Sequence, residues 1–303
     1  NLQAARESIV LAKNTQNILP LSKKASILVT GPTANLLSVM NGGWTITWQG
    51  DNEALYPQQK QTLLEAIRQK TTAKVTYVGG QRYQDEINIE QAVTEAYKQP
   101  IVLVTFGGRP RVITEVAEQA QAVVLGFLPG MEGGVAMADV LFGDVNPSGK
   151  LPISYPRNTN DAVLYDYKPI ESFESNQYNP LYAFGHGLSY TQFQTSDLTL
   201  AQTELRQGES LKLSVNVTNV GKRPGQEVVM VYLHDVAASV TRPNKQLKEY
   251  AKVDLKAGET RKIEFEIPYE SLSFIGIKMQ RIVEPGEFKV YVGKESASFS
   301  VME

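Results

Sequence analysis

QAVVLGFLPGMEGGVAMADVLFG, residues 121–143, decides the fold. Its first half is a short unbroken apolar run, the pattern of a strand buried on both faces. Pro129-Gly130 forces a turn. MEGGVAMADVLFG (131–143) then reads as a helix that ends near Gly143. A buried strand, a tight turn and a helix make half of a parallel βαβ unit.

Reading backwards from this stretch, the pattern repeats. RVITEVAEQA (111–120) reads as a helix, PIVLVTFGG (100–108) as a strand and INIEQAVTEAYKQ (87–99) as a helix. AKVTYVGG (73–80) is a strand closing in Gly-Gly. QTLLEAIRQK (61–70) is a helix with Leu63, Leu64 and Ile67 on one face, and SILVTGP (26–32) a strand. At the start, Leu2 and Ala5 lie one turn before Ile9, Val10 and Leu11, which suggests one helix through them all. The expectation for residues 1–157 is an α/β domain with a mostly parallel sheet sandwiched by helices. Ligands of such sheets sit beyond the carboxyl ends of the strands, where the Gly-Pro and Gly-Gly turns fall.

Reading forwards, the period changes. LKLSVNVTNVG, EVVMVYLHDV, RKIEFEIPYE and GEFKVYVGK alternate apolar and polar residues, separated by GKRPG, KAGET and EPGE turns. That is the signature of an all-β sandwich, expected over 195–303. The aromatic, Pro- and Asn-rich stretch 158–194 has no period and is expected to be a linker.

Composition narrows the function. Hydrophobic residues make up 42% and charged residues 20% of 303, an ordinary globular balance. A net charge of -2 gives no reason to expect nucleic acid or an anionic membrane as partner. No apolar run approaches the ~20 residues that span a bilayer. With no Cys and two His (His186 and His234), thiolate metal sites and Cys nucleophiles are excluded, and no metal site or cofactor is expected. The chain opens without an initiator Met or signal peptide and reads as part of something longer.

One seam resists the pattern. In TEAYKQPIVLV (94–104) a helix runs into a strand with no turn residue between them. Connections of this kind take ~2–6 residues, often with Gly at the helix end. Either the helix ends a turn early, or a segment is missing near 98–100: a loop, or a whole strand-helix unit.

Several phrases resemble the C-terminal half of glycoside hydrolase family 3, the β-glucosidase and glucan exohydrolase family. ARESIVLAKNTQNILPLSK (5–23), GPTANLLSVMNGGWTITWQG (31–50), GFLPGMEGGVAMADVLFGDVNPSGKLPISYP (126–156) and NPLYAFGHGLSYTQF (179–193) follow in family order. VEPGEFKVYVGKES (283–296) resembles the end of the family's fibronectin type III-like domain. His186 stands where Tyr is common, in a segment that links more than it catalyses. The resemblance implies a preceding (β/α)8 barrel that carries an Asp nucleophile. It places an acid/base Glu in a Val-Gly-Glu-like phrase between the helix at 87–98 and the strand at 100–108. That phrase is not in the chain, so no catalytic residue is identifiable and the family reading meets the turn argument at Lys98–Pro100. It implies an exo-acting retaining enzyme that releases glucose from β-glucosides or β-glucan oligosaccharides, periplasmic or secreted. This chain alone would be inactive. A β-xylosidase or N-acetylglucosaminidase of the same family, or a non-catalytic carbohydrate-binding or scaffold protein, is the alternative.

Both tryptophans lie in NGGWTITWQG (41–50). An indole offers a flat apolar face to the C–H face of a sugar. The resemblance makes Trp44 the substrate-binding residue; packing at a domain interface is its alternative. Trp48, alternating with Thr45 and Thr47, is expected to turn inward. Asn41 and Gln49 could bond hydroxyls. Glu132 is expected to cap the following helix or support the interface, Asp139 and Asp144 to cap or end elements, and Glu86 and Glu90 to be solvated carboxylates at a helix start. Arg109 and Arg111 are expected in surface salt bridges, and His234 to be exposed.

Overall fold

The computed structural model describes residues 1–303 except 83, 84, 87, 98, 162, 163 and 169–177, together with the side chains of 81, 82, 85 and 86. The chain forms two units. One comprises 1–160 with 185–190, the other 161–184 with 191–303.

In the first unit, strand β1 (Val10–Asn14) runs antiparallel to β5 (Ala122–Phe127), and β5 pairs in parallel with β4 (Val102–Phe106). Strands β2 (Ile27–Thr30) and β3 (Val75–Val78) form a separate parallel pair. The mostly parallel sheet is thus in two pieces. Helices are α1 (Leu2–Ser8), α2 (Leu63–Lys70), α3 (Ile89–Ala96), α4 (Thr114–Gln119) and α5 (Gly133–Leu141). Thr62 and Glu65 close a reciprocal capping box at the start of α2. Gly143, at φ +73, ends the run after α5.

The N-terminus corrects the sequence reading. Ile9–Leu11 are not helical: α1 stops at Ser8 and Val10 opens β1. Ile9-Val10-Leu11-Ala12 is apolar at every position, so no helical stripe faces water. In extended backbone, Ile9 at the cap of α1 and Val10–Ala12 in β1, all four are buried.

Burial is uneven across this unit. Ala122, Val123, Val124 and Leu125 are wholly buried, whereas every residue of β4 is only half-buried. Helix α3 is amphipathic yet buries no residue, and Val93 (62%) and Tyr97 (68%) stand exposed. The expected discontinuity falls on Lys98, outside the described residues. Beside it, Gln99 N–H donates to Ala96 O (2.9 Å) and Ile101 N–H to Gln121 Oε1 (2.7 Å).

Asp139 and Asp144 are not caps. Asp139, mid-α5 and buried, accepts from Arg6 Nε (2.7 Å) and Nη2 (2.5 Å) and pairs with Lys70. Lys70 also reaches Asp144 (2.8 Å), which pairs with Lys23 (2.7 Å). Burial pulls the Lys70 amine down, but Asp139 and Asp144 together outweigh it and hold its pKa above the usual value. This ionic chain fastens α1, α2 and α5. His186 donates from Nε2 to Ala12 O (2.7 Å), so residues 185–190 bind within this unit rather than running free.

The second unit is a sandwich. One sheet orders Thr260–Pro268, Ser210–Asn219 and Phe193–Leu200; the other orders Gln246–Leu255, Gly225–Asp235, Gly286–Val292 and Glu295–Val301, with Glu204–Leu205 at its edge. Inward positions Leu211, Leu213, Val215 and Val217 join Val229, Val231, Leu233, Val290, Val292 and Phe299 in one core, as strict alternation requires. Tyr165, Phe184 and Tyr232 form an aromatic cluster in this unit: Tyr165 and Phe184 stack with centroids 4.1 Å apart, and Tyr232 meets Tyr165 edge-on at 6.3 Å. His234 is half-buried, its Nδ1 3.2 Å from Pro243 O, rather than fully exposed.

Candidate functional site

The carboxyl ends of β2, β4 and β5 carry the loops that matter. Chain leaving β2 continues through two short 3-10 turns (Pro32–Asn35 and Ser38–Met40) into the tryptophan loop. Leaving β4 it passes Gly107 and Gly108, and leaving β5 it passes Leu128 and Pro129. Leu128 joins the three. A Cβ added at Gly42 or at Gly108 would meet Leu128 Cδ1 at 3.0 Å, so side chains larger than hydrogen would push Leu128 aside.

The tryptophan loop is closed on itself. Trp44 N–H donates to both Thr47 O and Trp48 O, each at 3.0 Å. Thr45 Oγ1 donates to Asn41 O (3.1 Å), and Gly50 N–H to Thr47 Oγ1 (3.1 Å). At the neck, Gly50 (φ +70) lies against Gly42: a Cβ there would fall 2.2 Å from Gly42 O. Trp44 itself has φ +65, a left-handed conformation unusual for a large side chain.

The outcome is an indole pair held in water. Trp44 is 80% exposed and Trp48 73% exposed, with ring centroids 5.9 Å apart and planes 29° from parallel. Trp44 therefore stands free of its own unit's core. Trp48 does not turn inward. Alternation is a property of extended strand, and this turn-rich loop is not one. The clue in the sequence was the TIT spacer, which is long enough to bring the chain back on itself. Asn41 Nδ2 is engaged with Leu37 O (2.7 Å), whereas Gln49 is exposed.

The remaining candidates do not converge on a reactive centre. Glu132 occupies the N-cap position of α5 but makes no capping bond; its carboxylate pairs with Lys60. Arg109 and Arg111 are exposed and, among the described residues, form no ion pair, so the expected surface salt bridges are not made. Glu90 is exposed in the first turn of α3, as expected of a solvated helix-start carboxylate. The side chain of Glu86 lies outside the described residues. No group of three His, Cys, Asp or Glu that could hold a metal occurs among the described residues. No helix among them is long and apolar enough to cross a membrane.

Comparison with known proteins fits this geometry. The Glycosyl hydrolase family 3 C-terminal domain matches in two stretches, 9–97 and 84–190, which overlap across α3, and a Fibronectin type III-like domain matches 227–296. The periplasmic beta-glucosidase of Salmonella typhimurium is 34% identical over 97% of this chain and 48% of its own length. A beta-xylosidase of Formosa agariphila is 31% identical over 97% of this chain and 48% of its own. The crystal structure of beta-glucosidase from Listeria innocua in complex with glucose superposes with a TM-score of 0.87 at 29% identity, covering 99% of this chain and 49% of that one. The chain thus spans about half the length of these relatives. The Salmonella alignment runs over 374 residues, of which 97% of this chain supplies about 294, so about 80 aligned positions face a gap here.

Proposed function

This chain belongs to glycosyl hydrolase family 3, and we propose that it forms one wall of the active site of an exo-acting, retaining β-glucosidase, periplasmic or secreted. The observation that carries the reading is the exposed Trp44–Trp48 pair at the carboxyl end of a parallel sheet. At 5.9 Å the pair has no room for a sugar between its rings, since two van der Waals contacts of ~3.5–4 Å need ~7–8 Å. A glucoside therefore stacks on an outer indole face, its C–H face against the ring and its hydroxyl edge towards water or a second wall. Covering about half of an indole's ~200 Å² contributes ~2 kcal/mol.

The second wall is a (β/α)8 barrel domain of the same enzyme, which also supplies the Asp nucleophile. Retaining hydrolysis needs two carboxylates ~5–5.5 Å apart, one attacking the anomeric carbon and one protonating the leaving oxygen. The acid/base Glu belongs to a strand-helix unit missing near Lys98–Pro100. Three features support that omission. The sheet is in two pieces; β4 and α3 leave apolar surface uncovered; and the family match doubles across 84–97, as it would where one helix stands in for two. The Formosa relative keeps β-xylosides as the second reading of the substrate.

Assay of nitrophenyl β-glucoside and β-xyloside against the full-length gene product and against the 303-residue chain tests the proposal. Turnover of the glucoside by the full-length protein with none by the chain supports it. Turnover by the chain alone places a reactive carboxylate within it and overturns the division of labour. A folded full-length protein inert to both favours a non-catalytic binding role.

A further inference from the structure

The indole pair stands on a small brace of its own. Tyr56 is 4% exposed and packs with Leu37 and Met40 in a cluster separate from the main core, with Val39, Phe106 and Met131 against it. Its hydroxyl donates to Gly50 O at 2.7 Å, the carbonyl at the neck of the tryptophan loop. Three residues earlier, the Glu53 carboxylate accepts from Leu37 N–H (2.9 Å) and Ser38 N–H (2.8 Å), where the chain enters that loop. The short 3-10 turn Glu53–Leu55, capped by Asn52, and Tyr56 directly after it thus grip both roots of the loop at once.

We propose that Tyr56 is the positioning residue of the sugar platform: by fixing Gly50 against Gly42 it holds Trp44 and Trp48 in register. This rests on the reading of the pair as a sugar-stacking surface. Between Gly43 and Gln49 the loop is tied mainly to itself, so its orientation is set at the neck. Gly50 is buried, and its carbonyl loses its partner if the hydroxyl is removed. Nothing else about the ring needs the oxygen, since the rest of the cluster is apolar. Burial first, then the carboxylates of Glu53 and Asp51, raise the phenol's pKa, so the donor proton stays in place at neutral pH.

The two tryptophans being the chain's whole complement, the exciton couplet of the stacked indoles in circular dichroism reports this loop alone. Tyr56→Phe in the 303-residue chain should retain the sandwich's strand spectrum and cooperative melt but lose most of the couplet. In the full-length gene product the same change should lower kcat/KM for a β-linked glucodisaccharide by about three- to tenfold, through KM. A folded Tyr56→Phe protein that keeps the couplet overturns the inference. So does a lost couplet with unchanged kcat/KM while Trp44→Ala is impaired, because the platform would then work without its brace. If Trp44→Ala is equally unimpaired, the failure lies with the sugar reading, and the brace is left holding a pair with no sugar to position. Glu53→Gln keeps an acceptor for one of the Leu37 and Ser38 N–H groups and sets an amide NH2 against the other, so it loosens the other root without touching the neck bond; it should retain the couplet and thereby separate loss of the neck bond from general loosening.

Discussion

The sandwich and the α/β unit meet the same demand, burial of apolar strands, with opposite completeness. In the sandwich, Ser210–Asn219 is flanked on both sides, and its inward residues Leu211, Val215 and Val217 are wholly buried. In the α/β unit, β4 is apolar along most of its length rather than on alternate residues, yet among the described residues it has a partner on one side only, and none of its residues is fully buried. A continuous apolar run evolves in strands covered on both faces. Its partial exposure here is what the omission proposed near Lys98–Pro100 would leave behind.

Truncation should expose that contrast most sharply. Phe299→Ala removes a ring stacked on Phe288 at 5.4 Å in the sandwich core and should cost about 3–5 kcal/mol by chemical denaturation. Val104→Ala, on the open edge, should cost about 1 kcal/mol or less. Equal losses would mean that β4 is as well packed as the sandwich. Next in size is Asp139→Asn, which strips the buried carboxylate from Arg6 and Lys70 and should destabilise the α/β unit by about 2–3 kcal/mol, with the sandwich unaffected. The check is a melt resolved for each unit.

Smaller effects come from pH, and the two units should fail at opposite ends. Lys23, then Lys70, hold the Asp144 carboxyl below its usual value of 3.8. The unfolded chain binds that proton first as pH falls, so this contribution is present above about pH 4 and lost below it. In the sandwich, burial, with Tyr165 and Tyr178 nearby, pushes the Tyr232 phenol up to about 12 from 10.0. Its contribution is whole below pH 10 and disappears as pH rises through 12. Asp144→Asn should remove part of the acid sensitivity, and Tyr232→Phe part of the alkaline sensitivity. Unit-resolved unfolding against pH measures both.

Much of this was legible in the residues. Period two gave the sandwich strands because one face of each is wet, and short mainly apolar runs ending in Gly or Pro turns gave β2 to β5, the pattern of strands covered on both faces; β5 is so covered, whereas β4 is only half-buried. The same rule applied to Ile9–Ala12 would have read strand; the neighbouring helical residues of α1 concealed it. Trp44 was legible as an exposed indole because its setting is Gly-rich and polar. Trp48 was not, since alternation carries no meaning in a loop whose amides bond its own carbonyls. Tyr56 left no signal at all. A buried tyrosine looks like core until its hydroxyl partner is known, and that partner is a backbone carbonyl six residues away. The Asp139 network was equally hidden, because it joins residues 133 positions apart.

The most direct test of the central claim is kcat/KM for a β-linked glucodisaccharide in the full-length gene product, wild type against Trp44→Ala. Loss of ~2 kcal/mol of stacking predicts a fall of about thirtyfold. An unchanged kcat/KM in a folded variant would contradict the claim that this indole is where the sugar rests.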